Sequence, residues 1–321
     1  MNAREHELLH ESNRRLWDGD WRGAARLLLE AARLAEEEGR TNDAARGRQM
    51  AASLFRFAGD TQDALATAQA LASTAADPAR VAFAAAAERA EAHAAAGDAA
   101  SAVPAYREAL GHAGTLALPP AWRATVMRRL GEALARSGDS AAAFDTYAQA
   151  RALHIGSGDA VGAAVVDLEC AEALVAVHAW PLAKRAAVAA IEAQGVCNDD
   201  AYSARVALVN ARLAHHGGDL LAALQFAGEA RDLSLRATQP VSYLASAGIA
   251  SELHAASGDR VAAYGVLATA WVTLGDLLGR DVAASWVKPL LLSCAAKWGD
   301  VAFAKAKAAY EAARRAQGDG S

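Results

Sequence analysis

The stretch LGEALARSGDSAAAFDTYAQA, residues 130–150, contains the pattern that decides the fold. Two segments rich in alanine and other helix-forming residues are separated by Gly138-Asp139. Glycine adopts at little cost the left-handed conformation that ends a helix, and aspartate accepts hydrogen bonds from the free amides at the start of the next one. The stretch therefore predicts two helices joined by a tight turn.

The same turn signal recurs along the whole chain at intervals near 40 residues. The Gly-Asp pairs begin at Gly19, Gly59, Gly97, Gly138, Gly218, Gly258 and Gly299. At His178-Ala179 the framework continues without the pair. Five residues after each mark stands an alanine: Ala24, Ala64, Ala102, Ala143, Ala183, Ala223, Ala263 and Ala304. A fixed period of this length is typical of helical repeat proteins, so we expect eight hairpins, sixteen helices and essentially no sheet.

Composition narrows the class of protein. With 54% hydrophobic residues the chain is too apolar for a disordered protein, and no run of 18 uninterrupted apolar residues predicts a membrane-spanning helix. The charged N-terminus lacks the apolar stretch of a secretory signal, so we expect a cytoplasmic protein. A net charge of −5 argues against general nucleic-acid binding, and three cysteines without paired spacing argue against a disulfide framework. Five lysines against 27 arginines suggest a GC-rich bacterial genome.

The hairpin at residues 130–150 resembles a tetratricopeptide repeat (TPR). The matching positions are Leu130, Gly131, Leu134, Gly138, Ala143, Tyr147 and Ala150. The longer period is similar to the 40-residue variants of that family. The resemblance implies an all-α, right-handed α-solenoid of about eight TPR-like helical hairpins, forming a single repeat domain over residues 1–321. The hairpins are expected at about 3–38, 41–76, 78–114, 119–156, 158–195, 199–237, 239–277 and 279–317. Pro104 and Pro289 fall inside predicted helices and should bend or locally unwind them.

The resemblance also implies a ligand-facing position six residues before each mark, on the first helix of each hairpin. These groove positions are Asn13, Ser53, Glu91, Glu132, Glu172, Arg212, Glu252 and Ser293, all of them polar. Neighbouring groove positions add Arg46, Arg56, Arg128, Arg136, Arg205, His215 and His216. We therefore expect a groove that carries both signs of charge and binds a protein or peptide segment.

Two simpler interpretations of these polar residues stay open. They can be the solvated face of each amphipathic helix, or they can form ion pairs across the groove with only a structural role. Glu132 with Arg128 or Arg136, and Glu172 with Arg212, are the pairs that spacing suggests. Trp17, Phe57 and Trp286 are candidate aromatic anchors for a ligand, or else part of the core and end caps.

These observations favour a non-enzymatic scaffold, adaptor or regulator that binds a protein or peptide segment. No cofactor, nucleic acid or membrane is expected as a partner, and a terminal repeat offers a surface for a homodimer. A second hypothesis is a module that senses a small effector, because the repeat is also similar to the sensor domains of bacterial transcription activators. A deep enclosed pocket would favour it.

A third hypothesis is zinc-dependent hydrolysis. His6-Glu7-Leu8-Leu9-His10 matches the His-Glu-x-x-His pattern, which places two imidazoles one helical turn apart with Glu7 as general base. Glu30, twenty residues beyond His10, falls near the position of a third ligand. We disfavour zinc chemistry because only five residues precede the motif, whereas such peptidases place it behind a substantial sheet domain.

Overall fold

The computed structural model describes residues 3–73 and 77–318. Over these ranges the chain forms seventeen α-helices and no β-strand. The helices are α1 (Ala3–Trp17), α2 (Trp21–Glu37), α3 (Thr41–Phe57), α4 (Thr61–Ala72), α5 (Pro78–Ala95), α6 (Ala99–Thr115), α7 (Pro120–Arg136), α8 (Ser140–Gly156), α9 (Ala160–Ala176), α10 (Trp180–Glu192), α11 (Gln194–Cys197), α12 (Asp200–His216), α13 (Leu220–Arg236), α14 (Pro240–Ala256), α15 (Arg260–Leu278), α16 (Arg280–Trp298) and α17 (Asp300–Gly318). The predicted all-α repeat architecture is confirmed. The end of the second predicted hairpin, residues 74–76, lies outside the described residues.

The turns use the chemistry that the sequence predicted. Six aspartates that follow a turn glycine cap the next helix, each accepting a hydrogen bond of 2.8–3.0 Å from the amide three residues on: Asp20, Asp98, Asp139, Asp159, Asp219 and Asp259. Gly138 has φ 95°, in the left-handed region. At the mark without a glycine, His178 takes the same region with φ 59°. The Asp60 carboxylate binds Arg22 and makes no cap.

Small residues bring the two helices of each hairpin together. The first seven alanines that follow the turn marks are all buried. One close approach is at Gly131 of α7, where an added Cβ atom would lie 2.7 Å from Cε2 of Tyr147 in α8. Tyr147 is itself buried. The small residues therefore set the spacing of the helix pairs, as helices approach only as closely as their contact side chains allow.

The last hairpin departs from the pattern. Gly299 alone joins α16 to α17 and is itself the residue before the helix, whereas six of the other seven hairpins place an aspartate there and the fifth places Ala179. The register of α17 is therefore one residue earlier, and Phe303 donates its amide to the Gly299 carbonyl where an alanine does so elsewhere. Ala304 is consequently exposed, so its predicted role as a helix contact is wrong.

Two other local differences concern helix continuity. The four-residue helix α11 follows α10 and raises the number of helices by one. Helices α6 and α16 run without interruption through Pro104 and Pro289, so the local unwinding that these prolines predicted does not occur.

Contacts within the chain define two compact units, Met1–Val166 (the N-terminal unit) and Asp167–Ser321 (the C-terminal unit). In the N-terminal unit, Leu28, Leu54 and Phe55 belong to a buried cluster made largely of alanines. In the C-terminal unit, Leu267, Leu274 and Val287 form another cluster with alanines and Tyr243. Helix α15 is long and apolar enough to cross a membrane by length and composition, and it packs against α14, α16 and α17 in that unit.

Candidate functional site

In the N-terminal unit, three of the predicted groove residues lie on α3, α5 and α7, which are the first helices of successive hairpins. Ser53 of α3 donates a hydrogen bond of 2.9 Å from Oγ to Oε1 of Glu88 on α5. Glu91, one turn further along α5, and Glu132 of α7 are both half-buried. Asn13 of α1 is exposed. All four predicted residues of this unit therefore lie on first helices, and the three on α3, α5 and α7 are half-buried.

Glu91 is the centre of the polar network. It accepts a hydrogen bond of 2.9 Å from the hydroxyl of Tyr106 on α6. Its carboxylate also lies 3.7 Å from Nε of Arg129 and 3.9 Å from Nη1 of Arg56. Burial, together with the Glu91 charge, raises the pKa of Tyr106, so the hydroxyl keeps its proton and remains a donor. Three hairpins therefore contribute to one network around a single carboxylate.

Glu132 extends the network along α7. Its carboxylate oxygens lie 3.5 Å from Nη1 of Arg129 and 3.7 Å from Nε of Arg136. The pairing of Glu132 with Arg136 agrees with one of the two predicted alternatives. Arg129, which the sequence analysis did not select, joins Glu132 to Glu91. Arg128, the other alternative, lies half-buried on the same helix.

These residues line an open cleft of about 240 Å³. Its polar lining consists of Arg56, Glu91, Tyr106, Arg129, Glu132 and Arg136. Arg129 and Arg136 stand at the rim with more than half of each side chain exposed. Nε of Arg56 is buried and has no hydrogen-bond partner among the described residues. A buried donor without a partner is costly by about 1–3 kcal/mol.

Glu88 lies beside this cleft and is the most desolvated carboxylate near it. Burial raises the pKa of Glu88, and the hydrogen bond from Ser53 and the charge of Arg56 only partly oppose that effect. Its protonation therefore responds to pH above the range of an ordinary glutamate. Glu88 was not among the predicted groove residues.

An aromatic surface adjoins the cleft at Arg56. The guanidinium carbon of Arg56 lies 4.6 Å from the ring centroid of Phe57, and the Phe57 and Trp21 centroids are 5.9 Å apart. Phe57 is mainly exposed, and Trp17, before the first turn, is 91% exposed. Two of the three predicted aromatic anchors thus lie on the surface. Trp286 packs against the core of the C-terminal unit, which agrees with the alternative of core packing.

In the C-terminal unit, Glu172 of α9 forms a bidentate ion pair with Arg205 of α12. Nε and Nη2 of Arg205 lie 2.8 and 2.5 Å from the two carboxylate oxygens. The predicted pairing of Glu172 with Arg212 is therefore wrong. Arg205 is the residue of α12 that lies level with Glu172, and Arg212, two turns further along, points to solvent. The hydrogen bonds to Glu172 raise the pKa of Arg205.

The remaining predicted groove residues lie apart from these networks. Arg46 is exposed and lines a separate cleft of about 320 Å³ with Asn42, Gln49, Asp77 and Arg80. His216 stacks on Trp180 with ring centroids 4.2 Å apart. His215, Glu252 and Ser293 are exposed. Each unit therefore contains one network of predicted residues, and Arg46, His215, His216, Glu252 and Ser293 lie outside both networks.

The geometry at the His-Glu-x-x-His motif disfavours zinc chemistry. Arg4 pairs with both carboxylates that the hypothesis requires, at 3.0 Å from Glu7 and 3.4 Å from Glu30. His6 and His10 are exposed. Among residues 3–73 and 77–318, no group of three His, Cys, Asp or Glu side chains is placed to hold a metal ion.

The cysteines offer no activated nucleophile in this fold. Burial raises the pKa of Cys170 to about 12, and burial also raises the pKa of Cys197 and of Cys294. The thiolate is the reactive form, so all three thiols are less reactive at neutral pH than a free cysteine.

Sequence reasoning missed Arg129, Tyr106, Glu88 and Trp21. The signal for Arg129 was available, because it lies 38 residues after Glu91, close to one repeat period. A residue one period away on the next first helix is a spatial neighbour in a repeat array. Tyr106 was visible only as an aromatic position of the repeat, and nothing in the sequence indicated that its hydroxyl meets Glu91.

Neither a protein-family model nor a curated protein sequence matches the chain. Several solved structures, however, match the chain. A tetratricopeptide repeat protein from Parabacteroides merdae aligns with TM-score 0.59 and 13% identity, over 90% of this chain and 100% of that one. A STAND signal-transduction ATPase with a tetratricopeptide repeat sensor, from Pyrococcus horikoshii, aligns with TM-score 0.58 and 14% identity, over 89% of this chain. This chain spans 44% of the ATPase.

A Rap protein complexed with competence and sporulation factor aligns with TM-score 0.51 and 14% identity, over 86% of this chain and 76% of that one. Identities this low establish the fold alone. The fold is a TPR-type helical repeat, which confirms the resemblance inferred from residues 130–150.

Proposed function

We propose that the protein is a non-enzymatic scaffold or adaptor that binds an extended protein segment at the cleft around Glu91. The observation that carries the proposal is an open cleft that holds both signs of charge, with the Glu91 and Glu132 carboxylates beside the exposed guanidinium groups of Arg129 and Arg136. One comparison supports it: a similar Rap protein was solved in complex with competence and sporulation factor.

The chemistry of the cleft suits a segment that carries an acidic group beside an apolar side chain. Arg129 and Arg136 present exposed planar guanidinium groups, which bind a carboxylate in bidentate geometry. The Glu91 and Glu132 carboxylates accept hydrogen bonds from backbone amides of the segment. Phe57 and Trp21 offer an apolar surface to the neighbouring side chain. The acidic group would be an Asp or Glu side chain or a C-terminal carboxylate.

The small-effector hypothesis receives less support from this site. Pockets for small molecules usually enclose most of the ligand and have volumes of about 300–1,000 Å³. The cleft is smaller, at about 240 Å³, and its rim arginines are exposed. Action in the bacterial cytoplasm and dimerisation through a terminal hairpin are further proposals, the second testable by sedimentation equilibrium.

The test is affinity capture from native lysate with the full chain, followed by titration of the captured segment as a synthetic peptide. A variant with Arg129→Glu and Arg136→Glu reverses the charge of the rim. Both side chains are mainly exposed, so the fold should tolerate the change. A matched control with Arg33→Glu and Arg107→Glu makes the same charge change on exposed positions of second helices, away from the cleft.

We expect the rim variant to lose at least about tenfold in affinity and the control variant to bind like the parent chain. Circular dichroism of both variants establishes that the helices persist. If the two variants bind a captured peptide equally well, the cleft is not its binding site. If no protein is captured by any form, the scaffold hypothesis yields to the small-effector alternative.

A further inference from the structure

Another cleft lies in the C-terminal unit, among α15, α16 and α17. Helix α17 packs mainly on α15, where the Tyr264 ring makes edge contacts with Phe303 and Tyr310 at centroid distances of 5.6 Å each. It packs less on α16. The result is an open cleft of about 660 Å³, with α15 as its floor and α16 and α17 as its walls.

The cleft is mainly apolar. Trp271 lies on its floor, Leu291 and Leu292 line the α16 wall, and Phe303 lines the α17 wall. Leu292 is 58% exposed, at the repeat position where every earlier hairpin has a small buried residue. This hairpin therefore leaves uncovered apolar surface of the kind that marks an interaction site.

The rim and surroundings of this cleft are basic. Lys288 and Lys307 line it, one on each wall. Residues 280–318 contain seven lysines and arginines against three acidic residues, and four of the five lysines of the chain. The whole chain has a net charge of −5, whereas residues 280–318 hold four more basic than acidic residues, so the charge of this segment is opposite in sign to that of the whole chain. A partner with negative charge beside an apolar stripe is complementary to it.

We propose that this cleft binds an amphipathic α-helix of a partner protein, with its apolar stripe flanked by Asp and Glu. A recessed apolar floor between two helices fits a third helix laid in the groove, with apolar anchors at helical spacing. A lipid surface fits less well, because membrane binding requires apolar side chains that protrude from the protein. The site is separate from the Glu91 cleft and does not depend on its proposed function.

The test uses synthetic peptides of about 18 residues, or five helical turns, titrated into the full chain by fluorescence anisotropy. The first peptide has leucines at i, i+3, i+4 and i+7 spacing with glutamates beside the stripe. The second replaces each glutamate by lysine. The third shuffles the first so that the leucines lose their helical spacing. We expect the first to bind at least about tenfold more tightly than the other two.

Two variants locate the binding. Leu292→Asp should weaken binding of the glutamate peptide by about tenfold or more, whereas Leu221→Asp, at a leucine of the same unit that is 70% exposed, should leave it unchanged. Lys288→Glu combined with Lys307→Glu should shift the preference toward the lysine peptide. All the substituted residues are exposed, and circular dichroism checks that the helices persist.

Equal binding of the shuffled peptide, or equal loss with Leu221→Asp, would overturn the proposal. Vesicles of phosphatidylcholine with and without phosphatidylserine serve as the lipid arm. Vesicle binding that is abolished by Leu292→Asp, in the absence of peptide binding, would assign the cleft to a membrane surface. Dimerisation of the parent chain that Leu292→Asp abolishes, again without peptide binding, would assign it to a second copy.

Discussion

Replacing Gly131 by alanine tests whether the close approach of α7 and α8 is what requires glycine there. The added Cβ atom would lie 2.7 Å from Cε2 and 2.8 Å from Cδ2 of Tyr147, well inside an ordinary van der Waals contact. The tyrosine is buried among neighbouring helices and has little room to withdraw. Adding a single methyl group at this position therefore tests the close helix packing that the repeat pattern predicted.

Two opposing terms set the magnitude. Alanine favours a helix interior over glycine by about 1 kcal/mol. Overpacking a well-filled core costs about 1–3 kcal/mol. We therefore expect a net loss of about 1 kcal/mol in the free energy of unfolding. The same contact can accommodate a methyl group elsewhere in the array, because the equivalent position of α5 holds Ala90 in a hairpin whose tyrosine, Tyr106, is also buried. If Tyr147 shifted toward such an arrangement, the loss would fall toward zero.

The assay is hydrogen exchange followed by mass spectrometry on peptides from residues 120–156, together with urea unfolding followed by circular dichroism. Local exchange is needed because a long repeat array need not unfold in one step. The control is Gly111→Ala, at an exposed position within α6 where an added Cβ atom meets nothing within 4 Å. The free energy of unfolding of this control variant should rise by about 0.5–1 kcal/mol. If Gly131→Ala stabilised the hairpin as much as the control, the close-contact reasoning would be refuted.

Three further predictions concern single interactions. A double-mutant cycle on Glu172 and Arg205 should give a coupling of only about 0.2–1 kcal/mol, because a third of each side chain is exposed; a much larger value by urea unfolding would contradict this. Burial raises the pKa of Glu88, so folding disfavours its charged form and the parent chain loses stability as pH rises through that raised pKa. Glu88→Gln should therefore stabilise the chain at pH 7 and have little effect near pH 4 in paired urea titrations. Asp139→Ala removes the cap on the Ala142 amide and should cost about 1 kcal/mol, measured as a lower thermal midpoint.

The sequence by itself determined the helices, the turns and the repeat. These features depend on local chemistry: glycine tolerates positive φ, aspartate caps free amides, and alanine permits close helices. Even the mark without glycine was located correctly, and there His178 takes the left-handed conformation. The resemblance to the tetratricopeptide repeat selected Ser53, Glu91 and Glu132 as groove candidates, and equal spacing in a repeat places these residues on equivalent faces of α3, α5 and α7.

Only the tertiary structure decided which side chains meet. The partner of Glu172 is Arg205 and not Arg212, because the relative height of α9 and α12 depends on how the hairpins pack and not on their spacing along the chain. The Tyr106 hydroxyl bond to Glu91 arises in the same way. At the last hairpin, α17 begins at Asp300 itself, one residue earlier than the pattern predicts, which places Phe303 where alanine stands elsewhere, and Phe303 lines the apolar cleft. A repeat pattern assumes equivalent hairpins, so it fails where one hairpin begins its second helix in a different register.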